Sequence, residues 1–132
     1  MNTHMDALET RAPAEREAAL LAALPTQIAH AQKNAPAFAD ALKGIHAAEI
    51  TSRAALAKLP VVRKYELLEK QKTSRAAGGS VFGGFSAISF GKNMPRVFSS
   101  PGPIYEPEGT AKDYWRMARA IYEIGRASCR ER

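Results

Sequence analysis

The stretch ITSRAALAKLPVVRKYELL, residues 50–68, decides the fold class of this 132-residue chain. Thr51 or Ser52 can cap a short helix over residues 53–58, because a hydroxyl oxygen at that position accepts a free N–H of the first turn. Pro60 disfavours a helical conformation for the residue before it, so residues 59–62 are predicted to form an extended connector. A second helix is expected over residues 63–72. Leu56 and Leu59 are predicted to point inward, and Tyr65, Leu67 and Leu68 are the apolar residues of the second helix.

Upstream of this stretch, residues 13–34 predict a long helix, because apolar side chains recur three or four positions apart. The stripe is weak in its first turns, where alanine buries little area, and consists of Ala14, Ala18, Leu21, Leu24, Ile28 and Ala31. Pro25 removes a backbone donor, so we expect either a kink or two helices with Pro25 near the start of the second. A short helix over residues 37–42 is expected to close at Gly44.

Downstream of it, the chain becomes rich in glycine between residues 76 and 91. We expect a loop there, followed by a first strand over residues 85–90 and a second strand over residues 96–99. The glycines lack the strand-before, helix-after order of a dinucleotide-binding fingerprint, so a turn-rich connection is favoured over a phosphate cradle at this point.

The best-patterned helix is predicted over residues 110–122, after a rigid segment with three prolines over residues 99–109. Thr110 and Asp113 resemble a capping box, and Trp115, Ala118 and Tyr122 fall on one helical face. The predicted fold class is therefore α/β, with a mostly helical N-terminal segment followed by short strands and a helix.

The last nine residues, IGRASCRER at 124–132, resemble a translated sequencing adapter. A back-translation in one frame matches adapter read-through at every codon, so we interpret residues 1–123 as native protein and residues 124–132 as a scar. The alternative is a natural basic tail. Removing the tail, with its three arginines and one glutamate, lowers the net charge from +6 to +4 and removes the only cysteine, Cys129.

Composition excludes several classes. Residues 1–123 lack cysteine, which excludes a disulfide framework or a thiolate metal site and fits a cytoplasmic protein. No apolar run approaches the roughly 20 residues that span a bilayer, and the polar start is unlike a signal peptide. Lysine and arginine are mixed with acids along the helices, which favours a solvated surface over a nucleic-acid or membrane partner. His4, His30 and His46 show no metal-ligand spacing, so no metal site is predicted.

Three stretches together resemble the N-terminal part of the phenylacetate–CoA ligase family of AMP-forming adenylating enzymes. Residues 28–38, IAHAQKNAPAF, are similar to the family's opening helix, which ends in a proline and an aromatic residue. Residues 50–68 resemble its pattern of a short helix, Leu-Pro, about two further residues, a lysine and a helix. Residues 96–122 occupy the place of its strand, phosphate loop and following helix. The resemblance covers most of residues 20–122 and implies the incomplete start of an adenylate-forming domain.

The resemblance also implies a reaction. The parent enzyme would activate a small carboxylic acid as an acyl-adenylate with ATP and Mg²⁺, release pyrophosphate and transfer the acyl group to coenzyme A. Most groups that neutralise phosphate charge in such a reaction would lie beyond Tyr122, so residues 1–122 are expected to be inactive and to bind none of these cofactors tightly. The identity of the acid, the oligomeric state and the catalytic residues stay open.

The phosphate-loop position holds Ser99, Ser100 and Gly102, which the resemblance implies as the residues that contact ATP phosphates. Hydroxyls and open backbone amides suit that role. The loop departs from the family pattern because its prolines remove donors and Glu106 and Glu108 would repel phosphate. The alternative is a rigid loop without a ligand.

Two other classes of function remain. One is a small basic helical binding module without catalysis. The other is a helical interaction domain, which predicts a cooperative, monomeric fold for residues 1–122. An enzyme fragment instead predicts exposed apolar surface around Trp115 and residues 85–99, with a tendency to aggregate.

Overall fold

A computed structural model describes the backbone of residues 4–130 and the side chains of residues 4–125. The architecture is mixed, with helices in the first half and a small two-stranded sheet in the second, and is broadly α/β. The two terminal tail residues, 131 and 132, and the side chain of Cys129 lie outside the described part.

Helix α1, Pro13–Asn34, is one continuous helix of 22 residues that starts at a proline and contains Pro25. The two-helix alternative is therefore wrong. Only the second half of the predicted stripe packs, with Ile28 buried, whereas Ala14 and Ala18 are exposed. The small alanine side chains have little apolar area to bury, so the first turns of α1 gain little from packing.

The main core forms where α1 meets the segments that follow it. Helix α2, Pro36–Ala41, and a 3-10 turn, Ala47–Glu49, bring Leu42 and Ile50 against Ile28. Gly44 adopts a left-handed conformation with φ of +79°, which confirms a glycine stop after α2. The Gln32 side chain donates to the carbonyl oxygens of Leu42 and Ile45 at 3.1 and 2.9 Å and fixes this connection.

Residues 50–68 fold largely as predicted, with one exception among the side chains predicted to point inward. Ser52 caps helix α3, Arg53–Leu56, because its Oγ accepts from the Ala55 amide at 3.1 Å. Helix α4 is Lys64–Ala76, and it ends four residues later than predicted. Leu56, predicted to point inward, is 42% exposed, and Tyr65 of α4 is 63% exposed. Helix α3 has only four residues, too short to present a full inward face.

Residues 85–90 form bends and irregular backbone and not the predicted strand. Gly83 and Gly84 both have positive φ, and both lie close to other segments of backbone. Gly84 accepts a hydrogen bond from the Ala37 amide at 3.0 Å, while Phe85 packs edge-on against Phe38 with ring centroids 5.4 Å apart. This segment therefore anchors the loop to α2 and does not extend the sheet.

The sheet is a single antiparallel hairpin of β1, Arg96–Ser99, and β2, Tyr105–Glu108. The predicted strand at residues 96–99 is thus confirmed. In the register, Arg96 lies opposite Glu108 and Ser99 opposite Tyr105.

Helix α5, Ala118–Arg130, begins eight residues later than predicted. Residues 110–117 form turns because Asp113 and Arg116 have φ of +52° and +55°. Asp113 does act as a cap, but its Oδ1 accepts from the amides of Met117 and Ala118 and not within a box with Thr110. Trp115 accordingly precedes the helix and does not share a helical face with Tyr122.

Helix α5 runs through residues 124–130, which we interpret as adapter sequence. That interpretation concerns the coding DNA and stays a prediction. Among the residues described, no helix is long and apolar enough to cross a membrane.

Candidate functional site

The hairpin is held against α4 by one buried side chain. Gln71 is 1% exposed, and its Nε2 donates to the Tyr105 carbonyl at 3.0 Å while its Oε1 accepts from the Tyr105 amide at 2.8 Å. A buried amide side chain that uses both ends in this way satisfies its own polar atoms and those of the strand. The position of the hairpin is therefore set by α4.

The hydrogen-bond pattern shows which backbone groups point away from the sheet. The Ser100 amide donates to the Ile104 carbonyl at 3.0 Å, so Ser100 and Ile104 form a hydrogen-bonded pair between the two strands. The neighbouring pair is Ser99 and Tyr105. Antiparallel pairs alternate between bonded and non-bonded, so the amide and carbonyl of Tyr105 face outward, where Gln71 meets them. Pro107, two residues later, has no N–H at the equivalent outward position.

The three residues predicted to contact phosphate lie together at the hairpin turn. Ser99 ends β1 with an exposed side chain, and its hydroxyl makes only a long contact of 3.5 Å with the Ser100 carbonyl. The Ser100 Oγ is buried and has no hydrogen-bond partner among the described residues. Gly102 has φ of +100°, and a Cβ there would meet nothing within 4 Å, so the turn is open at this point.

These features fit an oxyanion in part. Two hydroxyls and one unobstructed glycine are the groups that a phosphate needs, and the Ser100 Oγ lacks a partner in the described part of the chain. Pro101 and Pro103 supply no donors, so the turn cannot surround an anion with amides as a helix N-terminus does. Residues 99–104 also contain no lysine or arginine of their own.

Arg75 is a cation that lies against Tyr105 of the same hairpin. Its guanidinium carbon is 4.7 Å from the centroid of the Tyr105 ring. Tyr105 and Ser99 are directly opposite, so their side chains share one face of the hairpin. The Arg75 Nε is buried without a hydrogen-bond partner, and no carboxylate of the described part forms an ion pair with Arg75.

Sequence reasoning did not single out Arg75. It is one helical turn after Gln71, the residue that anchors Tyr105, and an i, i+4 pair lies on one face of a helix. That i, i+4 spacing is visible in the sequence. It indicates a shared contact with Tyr105 only when the position of β2 against α4 is known.

The phosphate repulsion expected from Glu108 is offset within the hairpin by an ion pair. The Arg96 guanidinium binds both oxygens of the Glu108 carboxylate, and Glu108 is 8% exposed. Its charge is neutralised within the hairpin, three register positions from Ser99. Glu106 is exposed and forms no ion pair among the described residues, so it remains the one acid of this hairpin with an unneutralised charge.

A cavity of about 320 Å³ lies beside the hairpin. Its walls are mainly apolar, with Phe38, Phe82 and Phe85 on one side and Tyr105 and Pro107 on the other. Gln71 contributes to the floor, but its amide is already occupied by Tyr105. The cavity thus offers apolar contact and few free polar groups.

A cluster of possible metal ligands joins residues 4–9 to α5. Ligand atoms of His4, Glu9 and Glu123 lie within 4.8 Å of one another, which sequence spacing did not reveal. Arg119 stands at the same place, because its guanidinium binds Asp6 and lies 3.9 Å from Glu9. That cation already supplies the positive charge that a metal would bring, so we assign no metal to the cluster.

The other histidines have ordinary surroundings. His30 Nδ1 lies 3.0 Å from the Asn34 side-chain nitrogen, one turn later on α1. His46 is exposed and directly precedes the 3-10 turn. Neither histidine lies in a cluster of metal ligands among the residues that the structure describes.

Two exposed ion pairs join distant segments. Hydrogen bonding from Arg119 lowers the pKa of Asp6, and hydrogen bonding from Arg53 lowers the pKa of Glu17. The pKa values of both arginines are raised by the same contacts. Neither pair lies at the hairpin.

Comparisons with known proteins place no further constraint on the site. A scan against protein-family models finds no match, and searches of curated proteins and solved structures find none either. Functional inference therefore depends on the residues and their geometry.

Proposed function

We propose that this chain is the N-terminal part of a cytoplasmic acid–CoA ligase-like enzyme that activates a carboxylate through an acyl-adenylate. The observation that carries the proposal is the hairpin turn, where an exposed Ser99, a Ser100 hydroxyl without a partner in the described residues and the open backbone of Gly102 follow one another closely in the chain. The resemblance of residues 20–122 to the phenylacetate–CoA ligase family supports the same conclusion.

In this proposal the turn contacts phosphate oxygens of ATP. The Ser99 and Ser100 hydroxyls donate hydrogen bonds, and Gly102 allows a phosphate to approach the backbone because no Cβ intervenes. ATP with Mg²⁺ supplies the adenylyl group that activates the acid, and coenzyme A accepts the acyl group. No residue of the described part is assigned to the magnesium ion, to coenzyme A or to the acid.

The role of the chain is to position and not to catalyse. Gln71 holds the hairpin on α4, so the turn keeps a defined place relative to the helical core. Positioning of this kind lowers the entropic cost of reaction when the remaining groups are present. Residues 1–122 alone are expected to be inactive.

The experiment begins with the genomic DNA that follows the Tyr122 codon. If that frame is open, its full product is expressed and assayed for exchange of labelled pyrophosphate into ATP with a panel of carboxylic acids. Acid-dependent exchange by the full product, and none by residues 1–122, is the expected result. A genuine tail at residues 124–132 followed by a stop codon, or ATP turnover by residues 1–122, contradicts the proposal.

A further inference from the structure

The two outer edges of the hairpin are unequal. The edge of β2 is closed, because Gln71 takes both outward groups of Tyr105 and Pro107 has no N–H to offer. Proline and covering side chains are the usual means by which proteins protect an edge strand. The outward N–H groups of β2 are thus either bonded or absent.

The edge of β1 has no such protection. The Ser100 amide bonds to the partner strand, and bonded and non-bonded positions alternate along an antiparallel strand. The amides and carbonyls of Val97 and Ser99 therefore face away from β2. None of these four groups has a hydrogen-bond partner in the part of the chain that the structure describes. All four residues of β1 are exposed, so this edge is open to another strand.

The open edge is complementary to itself. An antiparallel copy aligned on a two-fold axis through Phe98 places Val97 opposite Ser99 of the second copy, and Ser99 opposite Val97. Each of these pairs exchanges two hydrogen bonds, which gives about four in total. The two copies of Phe98 then form a non-bonded pair, the arrangement in which cross-strand side chains approach most closely.

Charge and apolar surface favour the same contact. Val97 and Phe98 are 39% and 44% exposed, and Trp115 packs edge-on against Phe98 with ring centroids 5.7 Å apart. Arg96, the one charged residue of β1, is paired with Glu108 of its own hairpin. Two copies therefore meet without an unneutralised charge on the paired strands.

We propose that two copies of this chain associate through β1, forming a four-stranded antiparallel sheet in the order β2, β1, β1, β2. The paired strands are four residues long and bury well below the roughly 1,200 Å² of surface that stable interfaces require. The association is therefore weak and reversible. It does not depend on the proposed ligase function.

Sedimentation equilibrium of the full chain over a wide concentration range tests the association. We expect the mass to rise from 14.3 kDa towards twice that value. Val97→Pro removes an N–H that faces away from β2 and leaves the hydrogen bonds of Arg96 and Phe98 to β2 in place. Pro107 occupies the same kind of position in β2. This variant should lower the association constant at least tenfold, whereas the matched control Val97→Thr keeps the donor and should associate normally.

Cross-linking tests the register. In a Cys129→Ser background, Phe98→Cys places two thiols at a non-bonded pair, where the Cα separation of about 4.5 Å suits a disulfide. Val61→Cys, at a site 77% exposed and outside β1, is the control. Faster covalent dimer formation at residue 98 supports the proposal. Equal rates at the two sites, a monomer at all concentrations, aggregates in place of dimers, or a dimer insensitive to Val97→Pro would overturn it.

Discussion

Gln71 of α4 hydrogen-bonds both the amide and the carbonyl of Tyr105 in β2, so a side chain takes the place of a neighbouring strand. The contact spans 34 residues and joins α4 directly to the hairpin that carries Ser99, Ser100 and Gly102. The hairpin shares few other anchors with the helical part, among them the ring of Tyr105 under Arg75.

Replacing Gln71 with leucine should destabilise the chain, because it leaves the amide and carbonyl of Tyr105 without partners. A buried polar group left unsatisfied costs about 1–3 kcal/mol. Urea unfolding followed by Trp115 fluorescence measures the loss, because Trp115 packs on the hairpin through Phe98. Gln27→Ala on the exposed surface of α1 is the control and should change stability little. Equal stability of the two variants would show that Tyr105 finds another partner.

Arg75 should contribute to oxyanion binding at the hairpin turn, a prediction that depends on the proposed function. Pyrophosphate is titrated into the labelled chain, and the amide shifts of Ser99, Ser100 and Gly102 are followed by NMR. A charge-assisted hydrogen bond contributes about 1.5–3 kcal/mol, so Arg75→Ala should weaken the binding that these shifts report at least tenfold.

Lys64→Ala is the matched control for Arg75→Ala. It removes a positive charge from the same helix, at a side chain for which the structure gives no hydrogen bond or ion pair in the described part. If both variants weaken binding equally, the effect is one of net charge, and Arg75 has no specific role. If Arg75→Ala leaves the shifts unchanged, the predicted cation lies elsewhere.

The ion pair of Glu17 with Arg53 should make stability depend on pH in the acid range. Hydrogen bonding from Arg53 lowers the pKa of Glu17 below its ordinary value, so the folded state favours the charged carboxylate. The stabilisation is present above that ordinary pKa, about 4.3, and is lost as the pH falls through the lowered pKa. Glu17→Gln should therefore reduce stability at about pH 6 but not at about pH 2.

Urea midpoints at the two pH values measure the difference for Glu17→Gln. Both partners are on the surface, so the effect should be small and should shrink further in about 1 M salt. Glu49→Gln, which removes an exposed carboxylate with no ion pair in the described residues, should show no comparable pH dependence. A loss in acid equal to that near neutral pH would assign the contribution of Glu17 to packing.

Local signals in the sequence predicted much of the first half of the fold. The cap at Ser52 and the stop at Gly44 depend on neighbouring residues, and both are found. The strand at residues 96–99 was also correct, whereas residues 85–90 are bends and irregular backbone because two left-handed glycines precede them and fix the loop on α2. The start of α5 shifts for a similar reason, since Asp113 adopts a left-handed backbone that no pattern of apolar residues reveals.

The candidate site was only partly visible in the sequence. Ser99, Ser100 and Gly102 were singled out through the family resemblance, because they occupy the position of its phosphate loop. The contacts of Gln71 and Arg75 depend on where the hairpin lies against α4, and such long-range contacts have no local signal. The pairing of Glu108 with Arg96 was missed because it depends on the hairpin register.

Gly84 should be intolerant of a side chain for two physical reasons. Its φ of +83° is a left-handed conformation, and a Cβ would lie 3.1 Å from the Ala37 nitrogen and 3.3 Å from the Ala37 Cβ. The Ala37 amide also donates to the Gly84 carbonyl at 3.0 Å, so the two segments cannot separate without losing that bond. Gly84→Ala should lower the free energy of unfolding by about 1–3 kcal/mol.

Gly125→Ala provides a control of opposite sign. Gly125 lies in α5, where a Cβ would meet nothing within 4 Å, and alanine in an exposed helix is more favourable than glycine by about 1 kcal/mol. Thermal unfolding of the two variants beside the parent chain measures both effects. Because the same chemical change is made twice, a loss at residue 84 with a gain at residue 125 assigns the cost to the backbone conformation and the contact with α2. Equal losses at both positions would instead indicate that added volume alone destabilises the chain.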